Sequence, residues 1–331
     1  MTMKVAVARG GAGIESIEIR EAPIPKPGPG EALVRLTAAT LNFRDLLAIK
    51  GVLPLTRTAE YVPLSCAAGA VEAVGEGVTR VKPGDRVTPL FFQNLAPGAA
   101  QSAEMLGGSV DGVARSHAVF PAESLSLIPD ELGDLDAATW PCAGLTAWSA
   151  LFGPRPLKAG ERVLVQGTGG VSIAALQWAK AAGAEVVITS SSDAKLRRAR
   201  ALGADVTVNY RTTPEWAEAV LMQSGGKGVD IVVDVAGAND LAASASLVNE
   251  GGIIAAIGML DGDFSWGKDV GKTIAPVSVG GREAHEAMAA FAAKHAIRPV
   301  VDVVYDLDRL GEALRRLESG GFFGKVGVNL L

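Results

Sequence analysis

From about residue 160 the chain alternates between short apolar runs and amphipathic stretches. Strand-like runs fall at 162–166, 185–190, 205–210, 230–235 and 253–258. Helical stretches lie between them at 171–182, 193–202, 214–223 and 241–248. Strands that are apolar throughout, separated by helices, predict right-handed crossovers and a parallel sheet covered on both faces. A further apolar run at 276–280 would add a sixth strand, and 282–295 a closing helix.

Residues 1–135 follow a different rhythm. Runs at 3–8, 32–39, 69–74 and 86–89 are broken by Pro and Gly, as at 23–30 and 82–85, which predicts a β-rich unit. The stretch 91–111 has no clear period and reads as a surface loop. After residue 297 this style returns, with a strand at 300–305, an amphipathic helix at 308–319 and a last strand at 325–331. The expected division is therefore 1–135 with 297–331 as one domain and 136–296 as the other. At 331 residues, two domains are also what core size demands.

Composition then removes whole classes of function. A net charge of −5 with no basic stripe disfavours a nucleic-acid partner. No apolar run approaches the ~18 residues a membrane span needs. The N-terminus runs straight into a strand, without a signal segment. Two cysteines, Cys66 and Cys142, make no disulfide framework. The chain reads as cytoplasmic, with a small-molecule substrate.

The strongest chemical signal follows the strand at 162–166. Gly167, Thr168, Gly169, Gly170 and Val171 lead into a helix, the context of a dinucleotide fingerprint. Gly167 permits the tight turn, and Gly169 lets backbone N–H groups approach a pyrophosphate at the helix N-terminus. The third fingerprint glycine is replaced by Ser172, small enough for close packing. Gly258, after the fifth strand, belongs to the same binding face. The second strand ends in Ser190 and Ser191 rather than the Asp or Glu that holds the ribose hydroxyls of NAD. With Lys195 as counter-charge, this favours NADPH. Asp193 reads as the N-cap of the next helix.

Taken in order, several motifs carry a likeness. They are Leu41 to Asp45, Gly69 to Gly75, Lys82 to Val87, Pro141 to Trp148, the Gly167 turn, and Phe323 to Val326. The chain resembles the medium-chain dehydrogenase/reductase superfamily, on its zinc-free, quinone oxidoreductase side. The resemblance implies an α/β protein with a GroES-like catalytic domain and a Rossmann domain, and a homodimer. It also implies Thr146 beside the nicotinamide, Lys195 and Tyr210 on the 2′-phosphate, and Lys325 on the cofactor.

Zinc-dependent relatives place Cys where this chain has Asn42, His-Glu where it has Ser65 and Cys66, and Cys or His at Cys142. Catalytic zinc needs three good protein ligands, so no metal is expected. The histidines, His117, His285 and His295, are scattered; His285 and His295 are expected on a solvated helix face. Without a Lewis acid, hydrogen-bond donors must polarise the substrate. Asn42, Arg44, Asp45 and Ser65 are the candidates, with Asn42 facing the nicotinamide or the substrate carbonyl. Arg44 and Asp45 read equally as an ion pair and helix cap. Phe43, Phe91, Phe92, Trp140 and Phe264 are candidates for an apolar wall. The expected reaction is NADPH-dependent hydride transfer to a quinone or an enone. The alternatives are a zinc-free NADP-dependent alcohol dehydrogenase or ketone reductase, and a non-catalytic NADPH binder.

Overall fold

The computed structural model describes residues 2–53, 59–96, 98–99, 101–237, 241–258 and 270–331. Two units emerge: Thr146–Ser278, and Met1–Leu145 together with Val279–Leu331. Phe264 lies outside the described residues.

In the unit Thr146–Ser278, six parallel strands stand in the spatial order Val206–Asn209, Glu185–Ser190, Arg162–Gln166, Val229–Asp234, Val248–Ala256 and Thr273–Pro276. Chain order reverses on either side of Arg162–Gln166, the switch point at which such sheets bind ligands. The strands are apolar on both faces because helices cover both. Leu164, Val187, Val232 and Ile254 pack with Trp216, Val220 and Leu241 of the covering helices. The sixth strand lies three residues earlier than the sequence run suggested. Ile253 to Ala256 pair with Thr273 to Pro276, so the apolar stretch after Pro276 is the strand's exit.

The other unit is built on a sheet ordered Val301–Asp306, Lys325–Asn329, Glu31–Thr40, Cys66–Val74, Arg86–Pro89 and Leu125–Leu127, with His117–Pro121 also paired to Glu31–Thr40. A smaller sheet joins Glu18–Pro23, Thr2–Arg9 and Glu60–Tyr61. The helix Leu310–Glu318 turns Leu310, Ala313, Leu314 and Leu317 inward, one stripe at helical spacing.

The unit boundaries fall at 145 and 279 rather than 135 and 297, and the reason is one buried contact. His285, on helix Arg282–Lys294, meets Trp140 edge-on at 6.2 Å, and its Nδ1 lies 3.0 Å from Ser126 Oγ. That helix therefore belongs with the β-rich unit. Helical periodicity alone assigned it to the wrong core and left His285 solvated, whereas it is buried. His295, one helix end further, is exposed against Phe291. The expected surface loop 91–111 is packed inward at its two ends, where Phe91, Phe92 and Leu106 are buried and Phe92 bridges to Met105.

Burial without a partner for Nε2 among the described residues lowers the His285 pKa from 6.5 to about 4. The unfolded chain then binds this proton more readily. Stability from His285 is complete above pH 6.5 and drains away as pH falls toward 4, by about 3 kcal/mol at the limit. Urea midpoints at pH 7.5 and 4.5 should therefore converge in His285→Asn relative to wild type. An unchanged acid sensitivity in the variant would remove this account.

Candidate functional site

Three strand ends meet in the β-rich unit. Thr40 pairs with Cys66 on one side and with Gly327 on the other. The Leu41 N–H donates to the Val326 carbonyl at 2.9 Å, carrying the pairing one residue further. Register alone thus brings Asn42, Ser65, Cys66 and Lys325 to one junction. A π-type turn, Trp140–Gly144, carries Cys142.

The junction is dry and its polar groups use one another. Lys325 Nζ donates to Asn42 Oδ1 at 2.6 Å and to the Leu41 carbonyl. Because an ammonium has no acceptor, the Asn42 amide must turn its oxygen toward Lys325. Its Nδ2 then donates to Ser65 Oγ and Cys66 Sγ, both at 3.1 Å. Ser65 in turn donates to Asp45 Oδ1 at 3.1 Å, and Asp45 Oδ2 accepts the Asn42 backbone N–H at 2.8 Å. Asn42, Asp45, Ser65, Cys66 and Lys325 are all buried.

Asn42 precedes the helix Phe43–Ile49, and the Asp45 carboxylate caps its first turn. Arg44 closes the charge balance: Nη1 lies 3.2 Å from Asp45 Oδ1 and donates to the carbonyls of Leu106 and Gly107. Of the two readings of Arg44 and Asp45, the ion pair and cap is what the geometry contains. Leu64, just before Ser65, holds a positive φ of 70°. Gly112 permits it, since a Cβ there would stand 1.9 Å from the Leu64 carbonyl oxygen. A leucine in this region costs roughly 1–2 kcal/mol, strain spent on aiming the Ser65–Cys66 turn.

The charges at the junction act on each other. Burial pushes the Cys66 thiol up, yet the Cys142 hydrogen bond, the Lys325 charge and the Asn42 amide outweigh it, leaving it below its ordinary value. Cys142, whose proton is held by Cys66, lies well above. Burial lowers Lys325 against the opposing pull of both thiols and Asp45. Tyr61, also buried, is pushed up to about 12 by burial and by the Asp45 charge.

The expectation that Asn42 offers a donor to substrate is corrected here, because both its N–H groups are taken. Ser65 has likewise committed its proton to Asp45. Phe91 and Phe92 are buried edge-to-face at 4.8 Å with Arg44 over the Phe91 ring, Trp140 is buried against His285, and Phe43 packs on the core. Lys325, expected on the cofactor, hydrogen-bonds within the Asn42 cluster. Cys142 and Lys325 were the members that chain position could not bring together with Asn42; only the strand register does so.

In the parallel-sheet unit the phosphate cradle is built as a cradle should be. Gly167 has φ +72°, and the helix Gly170–Ala181 opens from Gly169 with no side chain capping its first N–H groups. A Cβ at Gly169 would meet nothing within 4 Å, so the approach to those donors is open. Thr168 is buried beside them, and Gly170 and Val171 form the helix start. Ser172 explains its own presence: its Oγ donates to the Gln166 carbonyl at 2.7 Å and stitches helix to strand. Gly258 packs on the Gly237 backbone, where a Cβ would approach to 2.5 Å. Thr146 is buried in the helix Leu145–Phe152.

At the end of the second strand Ser190 is buried and Ser191 half-buried. Ser192, not Asp193, caps the helix Asp193–Ala201, accepting from the Lys195 N–H. Asp193 accepts from Asn209 Nδ2 at 2.7 Å. Tyr210 is 43% exposed, its backbone N–H donating to Ser190 at 3.2 Å. The donors, the bare glycines and the open helix end fit a dinucleotide.

The zinc question turns on the donor set. An amide, a hydroxyl and two thiols surround a cation already in place, and among the described residues no group of three His, Cys, Asp or Glu side chains could hold a metal ion. These residues do not fit catalytic zinc. Also among the described residues, no helix is long and apolar enough to cross a membrane.

A Rossmann unit with a dinucleotide cradle and a GroES-like unit with a polar strand junction define a nicotinamide-dependent oxidoreductase. Residues 28–130 match the alcohol dehydrogenase GroES-like domain family, and residues 170–294 the family described as zinc-binding dehydrogenase. The chain is 40% identical to a zinc-type alcohol dehydrogenase-like protein of Schizosaccharomyces pombe, over 96% of each chain. It is 33% identical to a 2-haloacrylate reductase of Burkholderia, over 79% of this chain and 74% of that protein. A solved structure from Sinorhizobium meliloti 1021, provisionally called an alcohol dehydrogenase, superposes with a TM-score of 0.90 and 38% identity over 99% of this chain and 98% of that one. The chain belongs to the medium-chain dehydrogenase/reductase superfamily, and it is an NAD(P)-dependent oxidoreductase.

Asp45 ties Ser65, the Asn42 backbone and Arg44 together. Asp45→Asn should cost roughly 2–3 kcal/mol, because a buried charged acceptor is lost from three partners. Urea unfolding measures it; a midpoint equal to wild type would show that the carboxylate does not hold the junction.

Proposed function

We propose that this protein is a zinc-independent reductase that moves hydride from NADPH to an α,β-unsaturated carbonyl or a quinone. The observation that carries the reading is the buried ammonium of Lys325 among Asn42, Ser65, Cys66 and Cys142, at the positions where zinc-dependent relatives place metal ligands. A conjugated acceptor suits such a site. Hydride adds to carbon, negative charge gathers on the carbonyl oxygen, and only hydrogen bonding or a fixed positive charge is needed to receive it. Reduction of an isolated ketone asks for more, since the oxygen itself must be protonated. The 2-haloacrylate reductase relative, whose name specifies an unsaturated acid, supports the first choice. The alcohol dehydrogenase-like name of the S. pombe relative keeps zinc-free ketone reduction as the second.

The preference for NADPH rests on the second strand of the Rossmann unit. No carboxylate closes that strand, and Asp193 is held by Asn209. Ser190, Ser191 and Lys195 offer hydroxyl donors and a positive charge to a 2′-phosphate, and Tyr210 stands exposed next to Ser190. The cradle from Gly167 to Val171 would hold the diphosphate through backbone N–H groups, and the bound nicotinamide supplies the hydride.

Two measurements test this reading. NADPH consumption with cyclohexenone, benzoquinone and cyclohexanone should be fast with the first two and slow with the third; turnover confined to cyclohexanone would promote the second reading. Lys195→Glu should weaken NADPH binding roughly 10- to 100-fold while leaving NADH unchanged. Equal NADPH affinity in both proteins, read by fluorescence titration, would remove the preference.

A further inference from the structure

The junction holds a cation with no direct counter-ion. Among the described residues, Lys325 Nζ touches two neutral oxygens, Leu41 O and Asn42 Oδ1, and no carboxylate. Asp45, the nearby acid, is occupied by Arg44, Ser65 and the Asn42 backbone. Taking an ammonium to 4% exposure without an ion pair is costly, and a methionine of similar length would fill the space without that cost. Packing therefore does not account for a lysine here. An ammonium has three donors, and two are used.

Of the other donors at the junction, Asn42 and Ser65 are spent, whereas the buried Tyr61 hydroxyl has no partner among the described residues. Asn42 gives both N–H groups to Ser65 and Cys66, and Ser65 gives its proton to Asp45. Tyr61 keeps a neutral phenol within the apolar core cluster.

We propose that the third N–H of Lys325 holds the carbonyl oxygen of the substrate and that its positive charge replaces the metal ion of zinc-dependent relatives. This rests on the reductase reading and deepens it: the preferred acceptors are those whose reduction leaves an oxyanion next to carbon, enones and quinones. For an enone, the hydride pair forms a C–H bond at the β-carbon. The C=C π pair shifts toward the carbonyl, whose own π pair becomes the oxyanion facing Lys325. Water then protonates the α-carbon, leaving hydroxide, and the enone has gained two electrons from the dihydronicotinamide. Asn42 is the positioning residue, holding the ammonium by its Oδ1 while Ser65 and Cys66 hold its amide.

Lys325→Met tests this with cyclohexenone as the probe. The turnover number should fall about 10²- to 10³-fold, the loss typical of one oxyanion donor. NADPH affinity, by fluorescence titration, and melting temperature should stay near wild type, and Lys325→Arg should recover part of the rate. Binding without turnover gives a second readout. 4-Nitrophenol, whose colour reports its ionisation, should bind wild type as the phenolate below its solution pKa and lose that colour with Lys325→Met. Turnover in Lys325→Met within threefold of wild type would overturn the proposal. So would a loss confined to the KM for NADPH, which would make Lys325 a cofactor contact. Should the Met variant not fold, 4-nitrophenol bound to wild type in its neutral form would overturn it equally. Wild type that ignores every enone and quinone but binds the phenolate would instead refute the reductase reading and leave the Lys325 oxyanion site standing.

Discussion

A cation buried at the meeting of three strand ends imposes an order on everything around it. Lys325 can only donate, so the Asn42 amide has one orientation, and that orientation sends its two N–H groups to Ser65 and Cys66. Ser65, accepting from Asn42, must donate to Asp45. The charge also reaches the thiols, drawing Cys66 toward ionisation while Cys142 keeps the shared proton. The direction of each hydrogen bond in the junction follows from the chemistry of one amino group. What puts that group there is backbone register, Thr40 against Cys66 and Gly327.

The Rossmann unit solves a complementary problem with almost no side chains. Backbone N–H groups at the start of Gly170–Ala181 are left uncapped, and the one hydroxyl nearby, Ser172, is turned inward to Gln166. An anion arriving there displaces no competing side chain. The same economy holds at the second strand, where Ser192 satisfies the next helix and Asn209 occupies Asp193. The acidic residue that would repel a 2′-phosphate is thereby engaged elsewhere. One unit offers bare backbone to a diphosphate, and the other concentrates its charge at a single buried point.

Legibility in the sequence followed distance along the chain. The strand, turn and helix of the cradle are contiguous, so hydrophobic period and glycine placement were enough to find them. The parallel sheet followed for the same reason, apart from its edge strand, where pairing with Ile253 to Ala256 overrode the apolar run after Pro276. The candidate cluster was half legible: Asn42, Asp45, Ser65 and Arg44 were named, yet their partner Lys325 is 283 positions from Asn42. No local pattern announces that contact. Period also says nothing of which core a helix joins, and so His285 was placed in solvent. The surroundings of the aromatic candidates were illegible on the same ground, since Phe91, Phe92 and Trp140 are marked by type as apolar but not by which side of a sheet they cover.

The relatives' names keep zinc in view, and the choice between a metal and an ammonium comes down to charge. A dication within about 4 Å of Lys325 in its charged form would be repelled by roughly 8 kcal/mol at an effective dielectric near 20. A pair of ionised thiols would be needed to offset this, whereas Cys142, beside Cys66 and buried, is pushed well above its ordinary value. Zinc binding at the junction would also need Lys325 neutral. Each local preference therefore supports the others. On the proposed reading the lysine and the metal are alternatives for the same task, and the residues around this junction are those that suit the lysine.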